Sequence, residues 1–129
     1  MLEETKNWLN YAQDNLEAAK VLLNSQLYNP CLHNVQQCVE KLLKSVIIEK
    51  NIPFKKTHNI FELKNILSEK NVTIDLTDDE CDFLDSIYLP TKYPVGSALP
   101  FYYPDKNDCV KSITLAGVLF QQISNLLSK

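Results

Sequence analysis

Arginine is absent from the sequence: all 13 lysine-or-arginine positions of the 129-residue chain are lysine. The guanidinium group of arginine is the side-chain group best suited to hold a phosphate with two parallel hydrogen bonds. The formal net charge is −3, whereas proteins that grip a long phosphate backbone usually carry an excess of basic residues. Both observations argue against a protein that binds extended nucleic acid through charge alone.

Glycine is scarce as well, since only Gly96 and Gly117 occur, and the sequence has none of the Asn-Gly or Asp-Gly pairs typical of tight β-hairpins. The four cysteines form no Cys-x-x-Cys pair, which predicts reduced core or surface residues and no metal site. No apolar run is long enough to span a bilayer, and the first ten residues lack the features of a signal peptide. The sequence therefore predicts a cytoplasmic protein that does not enter a membrane.

Apolar residues recur at intervals of three and four through most of the chain, which is typical of amphipathic helices. They predict five helices, one of them short, that begin near residues 2, 30, 59, 77 and 105. Residues suited to cap a helix N-terminus stand at the last three of these starts: Asn59 or Thr57, then Thr77, then Asp105. The predicted fold is an all-α, up-and-down bundle of four to five helices that forms a single domain over residues 1–129.

The second predicted helix carries two adjacent glutamines that point in different directions. Gln36 falls within its apolar face, so its amide must find partners or cost about 1–3 kcal/mol. The amide could bond a backbone carbonyl of a loop or another helix, or it could lie at a dimer seam or pocket floor and reach a ligand. Gln37 falls on the neighbouring polar side. The apolar face comprises Leu32, Val35, Val39, Leu42, Leu43, Val46 and Ile47.

Three stretches of the sequence resemble the HEPN domain family (higher eukaryotes and prokaryotes nucleotide-binding). "YNPCLHNVQQCVEKLLKSVI" resembles the second helix of the family, with its paired glutamines and an acidic residue followed by lysine. "KKTHNIFELKNIL" resembles the threonine-histidine start of the third helix, and "IYLPTKYPVG" resembles a tyrosine–arginine–tyrosine–proline region, with Lys92 in place of the usual arginine. The three stretches occur in the family's order and spacing.

The resemblance implies a four- to five-helix bundle that commonly forms a homodimer. Some family members are ribonucleases, many of them in toxin–antitoxin or defence systems, that use an arginine followed four to six residues later by a histidine. Others lack this pair and act as binding modules. Many members are encoded beside a small nucleotidyltransferase.

The sequence departs from the ribonuclease pattern, because it contains no arginine and no histidine after His58. Metal-free cleavage of RNA needs a group that moves protons near neutral pH and a cation that stabilises the charged transition state. An alternative set would be His33 with Lys92 or Lys41. The favoured interpretation places His33 on the polar face at the start of a helix and His58 as a capping or hinge residue.

Two ligand hypotheses follow from the polar residues. In the first, Lys41, Lys44 and the "KKTH" corner form an anion or nucleotide-phosphate site, to which the helix N-terminus at 57–59 adds amide donors. In the second, Tyr93 or a neighbouring aromatic side chain stacks on a base, with Lys92 beside the phosphate. In each case the simpler alternative is a solvated helix face or an aromatic cover over a core. The candidate ligand-binding residues are His33, Gln36, Gln37, Lys41, Lys44, His58, Lys92 and Tyr93.

The sequence as a whole predicts a non-catalytic, homodimeric HEPN-type module that binds a nucleotide and/or pairs with a small nucleotidyltransferase. It predicts no catalytic residue, metal ligand or cofactor. Two alternatives stay open: a divergent HEPN ribonuclease toxin, with RNA as its substrate, and a purely structural dimerisation domain.

Overall fold

Five α-helices make up the structure, a computed structural model that describes residues 1–54, 56–92 and 104–128, with the backbone alone for 88–92. The helices are α1 (Glu3–Asn24), α2 (Tyr28–Glu49), α3 (Ile60–Glu69), α4 (Asp78–Lys92) and α5 (Lys106–Leu127). The predicted all-α bundle, with one short helix, is confirmed. Within the described residues, none of these helices is long and apolar enough to cross a membrane.

Helix α2 is the centre of the bundle, because it packs against each of the other four helices. All seven residues of its predicted apolar face are at most 1% exposed. Their burial in a close-packed interior supplies much of the apolar surface that drives folding. The same helix buries several polar side chains, and these residues form the candidate site described below.

The predicted N-terminal caps hold three helices in place. The Asn59 side chain accepts a hydrogen bond from the Glu62 amide at 2.8 Å, which satisfies one of the free donors at the start of α3. Thr77 and Glu80 form the predicted reciprocal pair before α4, and Asp105 caps α5. The Asn59–Glu62 pair is not reciprocal, because the Glu62 carboxylate instead accepts from the Thr57 hydroxyl group.

We expect Asn59→Ala to lower the free energy of unfolding by about 1 kcal/mol, because the Glu62 amide loses its acceptor. Urea unfolding followed by circular dichroism measures this difference. The matched control is Asn65→Ala, an exposed residue inside the same helix, where alanine is the better helix former and the change should be neutral or slightly stabilising. Equal effects of the two substitutions would contradict the capping role.

Three helices end without glycine, although their last turns use the left-handed conformation that glycine favours. Gln26, Asn51 and Asn71 have φ angles of 62°, 53° and 62°. In each case the following residue, which is apolar, donates its amide back to the last turn of the helix. This is the Schellman arrangement, and it places Leu27, Ile52 and Val72 over the helix ends.

All four cysteines (Cys31, Cys38, Cys81 and Cys109) are buried and unpaired by disulfides. Burial raises the pKa of the Cys38 and Cys109 thiols to about 12. Because the thiolate is the reactive form, these thiols act as small apolar core residues at neutral pH.

Candidate functional site

The paired glutamines of α2 join the interior of the bundle to its surface. Gln36 is fully buried and donates from its Nε2 atom to the backbone carbonyl of His58 at 3.5 Å. Half-buried Gln37 donates to the Gln36 Oε1 atom at 2.7 Å. The prediction that Gln36 bonds a backbone carbonyl outside its own helix is confirmed, and the bond from Gln37 satisfies its acceptor.

A buried carboxylate lies one turn further along α2. Glu40 is 3% exposed, and its Oε2 atom accepts from the Lys44 ammonium group at 2.9 Å. The Nδ1 atom of His58 lies 3.1 Å from the same oxygen; because a carboxylate can only accept, this nitrogen carries the proton. We call Glu40, Lys44 and His58 the Glu40 cluster. Within the described part of the chain, the second carboxylate oxygen, Oε1, is buried without a hydrogen-bond partner.

The alternative of a solvated helix face does not hold for Lys44, because this residue is buried. Lys44 is 6% exposed, with its ammonium group on Glu40 and 5.7 Å from the centre of the Trp8 ring. The physical reason is that neighbouring helices surround α2, so that side chains outside its apolar face are also buried. A buried lysine persists only when it is paired, and Glu40, four residues earlier, supplies that partner.

The predicted anion site at the start of α3 is already filled by the chain itself. The Asp85 carboxylate of α4 accepts from the Ile60 amide at 2.7 Å and from the Phe61 amide at 3.2 Å. The Asn59 side chain accepts a hydrogen bond from the amide of Glu62. A negative charge at a helix N-terminus is favourable, and here the protein provides it. The amide donors of residues 60–62 are therefore occupied, and the hypothesis that a phosphate binds at this corner stays a prediction.

The pKa of Asp85 is raised above its ordinary value, mainly by burial, while the two amide hydrogen bonds act in the opposite direction. A carboxyl group whose folded-state pKa exceeds its unfolded value binds protons more tightly in the folded state. Asp85 therefore contributes its full stabilisation at pH values below the pKa of the unfolded state, which is about 4. This contribution is lost as the pH rises through the pKa of the folded state.

We therefore expect the stability of the wild type to improve relative to Asp85→Asn when the pH falls from about 7 to about 4, because asparagine does not titrate. Urea unfolding of both proteins at several pH values gives the difference. Asp75→Asn, at an exposed position, is the control for the change of charge. If the wild type instead lost stability relative to Asp85→Asn on acidification, the pKa of Asp85 would not be raised.

Lys41 is held by a chain of amide side chains between α1 and α2. Its ammonium group donates to the Asn15 Oδ1 atom at 2.6 Å. Asn15 donates to the Asn34 Oδ1 atom at 3.0 Å, and Asn34 donates to the carbonyl of Pro30 at 2.9 Å. This relay fixes a half-buried lysine head group against the backbone at the start of α2.

An aromatic ring stands beside this lysine. The Lys41 ammonium group lies 5.8 Å from the centre of the Tyr11 ring, and Tyr11 is 60% exposed. Burial lowers the pKa of Lys41, and the negative charges of Glu40 and Asp14 oppose that shift. We call Tyr11, Asn15, Asn34 and Lys41 the Lys41 site. It presents a positioned cation and an exposed ring together, a pair that can contact a phosphate and a base.

His33 lies one turn after the start of α2 and is half-buried. Burial lowers the pKa of its imidazole, and the positive charge of Lys41 lowers it further. Both effects favour the neutral form of the imidazole. Its Nδ1 atom is buried and has no hydrogen-bond partner within the described residues.

Two of the predicted site residues fall outside what the structure describes. The backbone of Lys92 ends α4, but its side chain lies beyond the described atoms, and Tyr93 and the rest of the aromatic loop to Tyr103 lie beyond the described residues. The hypothesis that this loop stacks on a base therefore stays a prediction. Among the residues that are described, no group of three or more metal-ligating side chains comes together.

Comparison with known proteins identifies the family. The family model described as "HEPN domain" matches residues 5–126. This chain belongs to the HEPN domain family. Two solved structures share the fold of this HEPN domain: an archaeal HEPN homologue, ST0689, with a TM-score of 0.71 at 24% identity, and TT1696 from Thermus thermophilus, with a TM-score of 0.72 at 22% identity. ST0689 aligns over 98% of this chain and 99% of its own, and TT1696 over 96% and 98%.

A curated relative is more similar in sequence over a shorter stretch. It is named "Putative toxin MJ1304", from Methanocaldococcus jannaschii, and is 32% identical over 71 residues. The match covers 55% of this HEPN domain and 47% of the relative, so that the aligned part spans about half the length of that protein.

Proposed function

We propose that this HEPN domain, over residues 1–129, is a non-catalytic binding module that works as a homodimer. It binds a nucleotide at the Lys41 site and/or pairs with a small nucleotidyltransferase subunit. The observation that carries the nucleotide part is the ammonium group of Lys41, fixed by Asn15 beside the exposed ring of Tyr11. A phosphate would take the free N–H bonds of the lysine, and a base would stack on the ring.

The side chains available for catalysis support a binding role. Cleavage of RNA without a metal needs a proton-transfer group near neutral pH and a cation at the reacting phosphate. The chain has no arginine, and the ammonium group of Lys44 is bound to Glu40 inside the bundle. His33 has a lowered pKa and a buried Nδ1 atom.

The second candidate function is a divergent ribonuclease toxin. It is favoured by the name of the curated relative. In that case His33 would have to move the proton and Lys41 would have to stabilise the transition state. A purely structural dimerisation domain is the third candidate and would bind neither nucleotide nor RNA.

Calorimetric titration with ATP and with GTP tests the nucleotide part. We expect saturable binding, and no heat at millimolar nucleotide would refute it. Isolation of the protein from its native cell, followed by mass spectrometry, tests the partner part. We expect a nucleotidyltransferase or a bound nucleotide to co-purify, and the recovery of the homodimer alone would favour the structural candidate.

A further inference from the structure

A cleft of about 490 Å³ lies between the first turns of α4 and α5, outside both the Glu40 cluster and the Lys41 site. The proposed nucleotide function does not use it. Its volume falls within the range of small-molecule binding sites in proteins. Helix α4 lines it with Asp79, Glu80 and Phe83, and α5 contributes Lys111, Ser112 and others.

The charges around the cleft favour a cation. Asp79, Glu80 and Asp108 line it with carboxylates, whereas Lys111 is the one basic side chain among the described residues of its lining. The Glu80 carboxylate is fixed by the Thr77 amide at 2.8 Å. The two helix N-termini add about half a positive charge each, which leaves the cleft negative on balance.

A buried hydroxyl group lines the same cleft. Ser112 is 5% exposed, and no hydrogen bond of its hydroxyl group is present within the described part of the chain. A hydroxyl group that lines a cleft can accept a hydrogen bond from a ligand atom that enters the cleft. The half-buried side chains of Phe83 and Leu115 supply apolar surface next to it.

We propose that this cleft binds an organic ammonium ion that carries an apolar body. The ammonium group donates to the Ser112 hydroxyl oxygen and is balanced by the carboxylates of Asp79 and Asp108. The apolar body packs against Phe83 and Leu115. The same charges repel phosphate groups, so that this site and the proposed nucleotide site take ligands of opposite charge.

The test is a titration of the full chain with phenethylamine, followed through backbone amide signals in nuclear magnetic resonance spectra. We expect saturable shifts that centre on Phe83, Ser112 and Leu115. The neutral analogue 2-phenylethanol should bind at least about tenfold more weakly, because it lacks the charge. A short peptide with one lysine, acetylated and amidated at its ends, serves as a second arm. Tighter binding of the peptide would mean that the ammonium group belongs to a lysine of a protein partner. Tighter binding of phenethylamine would mean that it belongs to a free amine.

Two substitutions test the named contacts. Ser112→Ala and Asp79→Asn should each weaken phenethylamine binding by about tenfold. Asp14→Asn, at an exposed position on α1, should leave it unchanged. No saturable shift at millimolar amine, equal binding of amine and alcohol, or unchanged affinity in both cleft variants would overturn the proposal. A failure of ATP to bind would leave it intact, since the two sites share no residue.

Discussion

Glu40→Gln should lower the free energy of unfolding by about 3–5 kcal/mol, because it leaves the buried ammonium group of Lys44 without a counter-charge. Lys44→Met should cost a similar amount, since it leaves the Glu40 carboxylate buried without its cation. This is a large share of the about 5–15 kcal/mol by which a typical domain is stable. Urea unfolding of purified variants measures the differences.

The double variant Glu40→Gln/Lys44→Met shows whether the two charges act as a pair. We expect it to be more stable than the sum of the single losses predicts, with a coupling energy of about 1–3 kcal/mol. The exposed pair of Glu17 and Lys20, at 3.3 Å, provides the control, because Glu17→Gln should cost at most about 1 kcal/mol. Single losses at Glu40 and Lys44 no larger than that of Glu17→Gln would contradict the buried pair.

Lys41→Met should weaken ATP binding by about tenfold to a hundredfold, because hydrogen bonds that involve a charged group contribute about 1.5–3 kcal/mol. Asn15→Leu removes the acceptor that positions the ammonium group and should produce a smaller loss in the same direction. Calorimetric titration of folded variants gives the affinities.

The control for Lys41 is Lys20→Met, an exposed lysine on α1 whose ammonium group contacts Glu17. It carries the same change of charge, but its ammonium group is bound to Glu17 and makes no hydrogen bond to Asn15, so that it should leave ATP affinity within about twofold. Equal losses in Lys41→Met and Lys20→Met would mean that net charge alone attracts the nucleotide. That result would contradict nucleotide binding at the Lys41 site.

Apolar spacing predicts the inner face of α2 correctly, because burial against other helices selects for side chains on one side of a helix. The caps Asn59, Thr77 and Asp105 are predictable for a similar reason, since each bonds an amide only three residues away. Interactions of this kind are encoded within one turn of the chain. They can therefore be predicted without knowing how the helices pack against one another.

The polar sites depend on that arrangement, and the sequence alone missed much of them. Asp85 reaches the start of α3 from 25 residues away, and Lys41 meets Asn15 across 26 residues. Because these contacts join residues that are far apart in the sequence, no short sequence pattern predicts them. Glu40 is the exception, because its spacing of four from Lys44 is typical of an ion pair on one helix. That spacing does not reveal that the pair is buried.

We propose that this HEPN domain binds nucleotides without cutting RNA, and one experiment tests both parts of the proposal. Labelled single-stranded RNA is incubated with the same purified sample that is titrated with ATP, and His33→Ala is run in parallel. We predict saturable ATP binding and intact RNA in both proteins. RNA cleaved by the wild type and left intact by His33→Ala would contradict the claim and establish the domain as a ribonuclease.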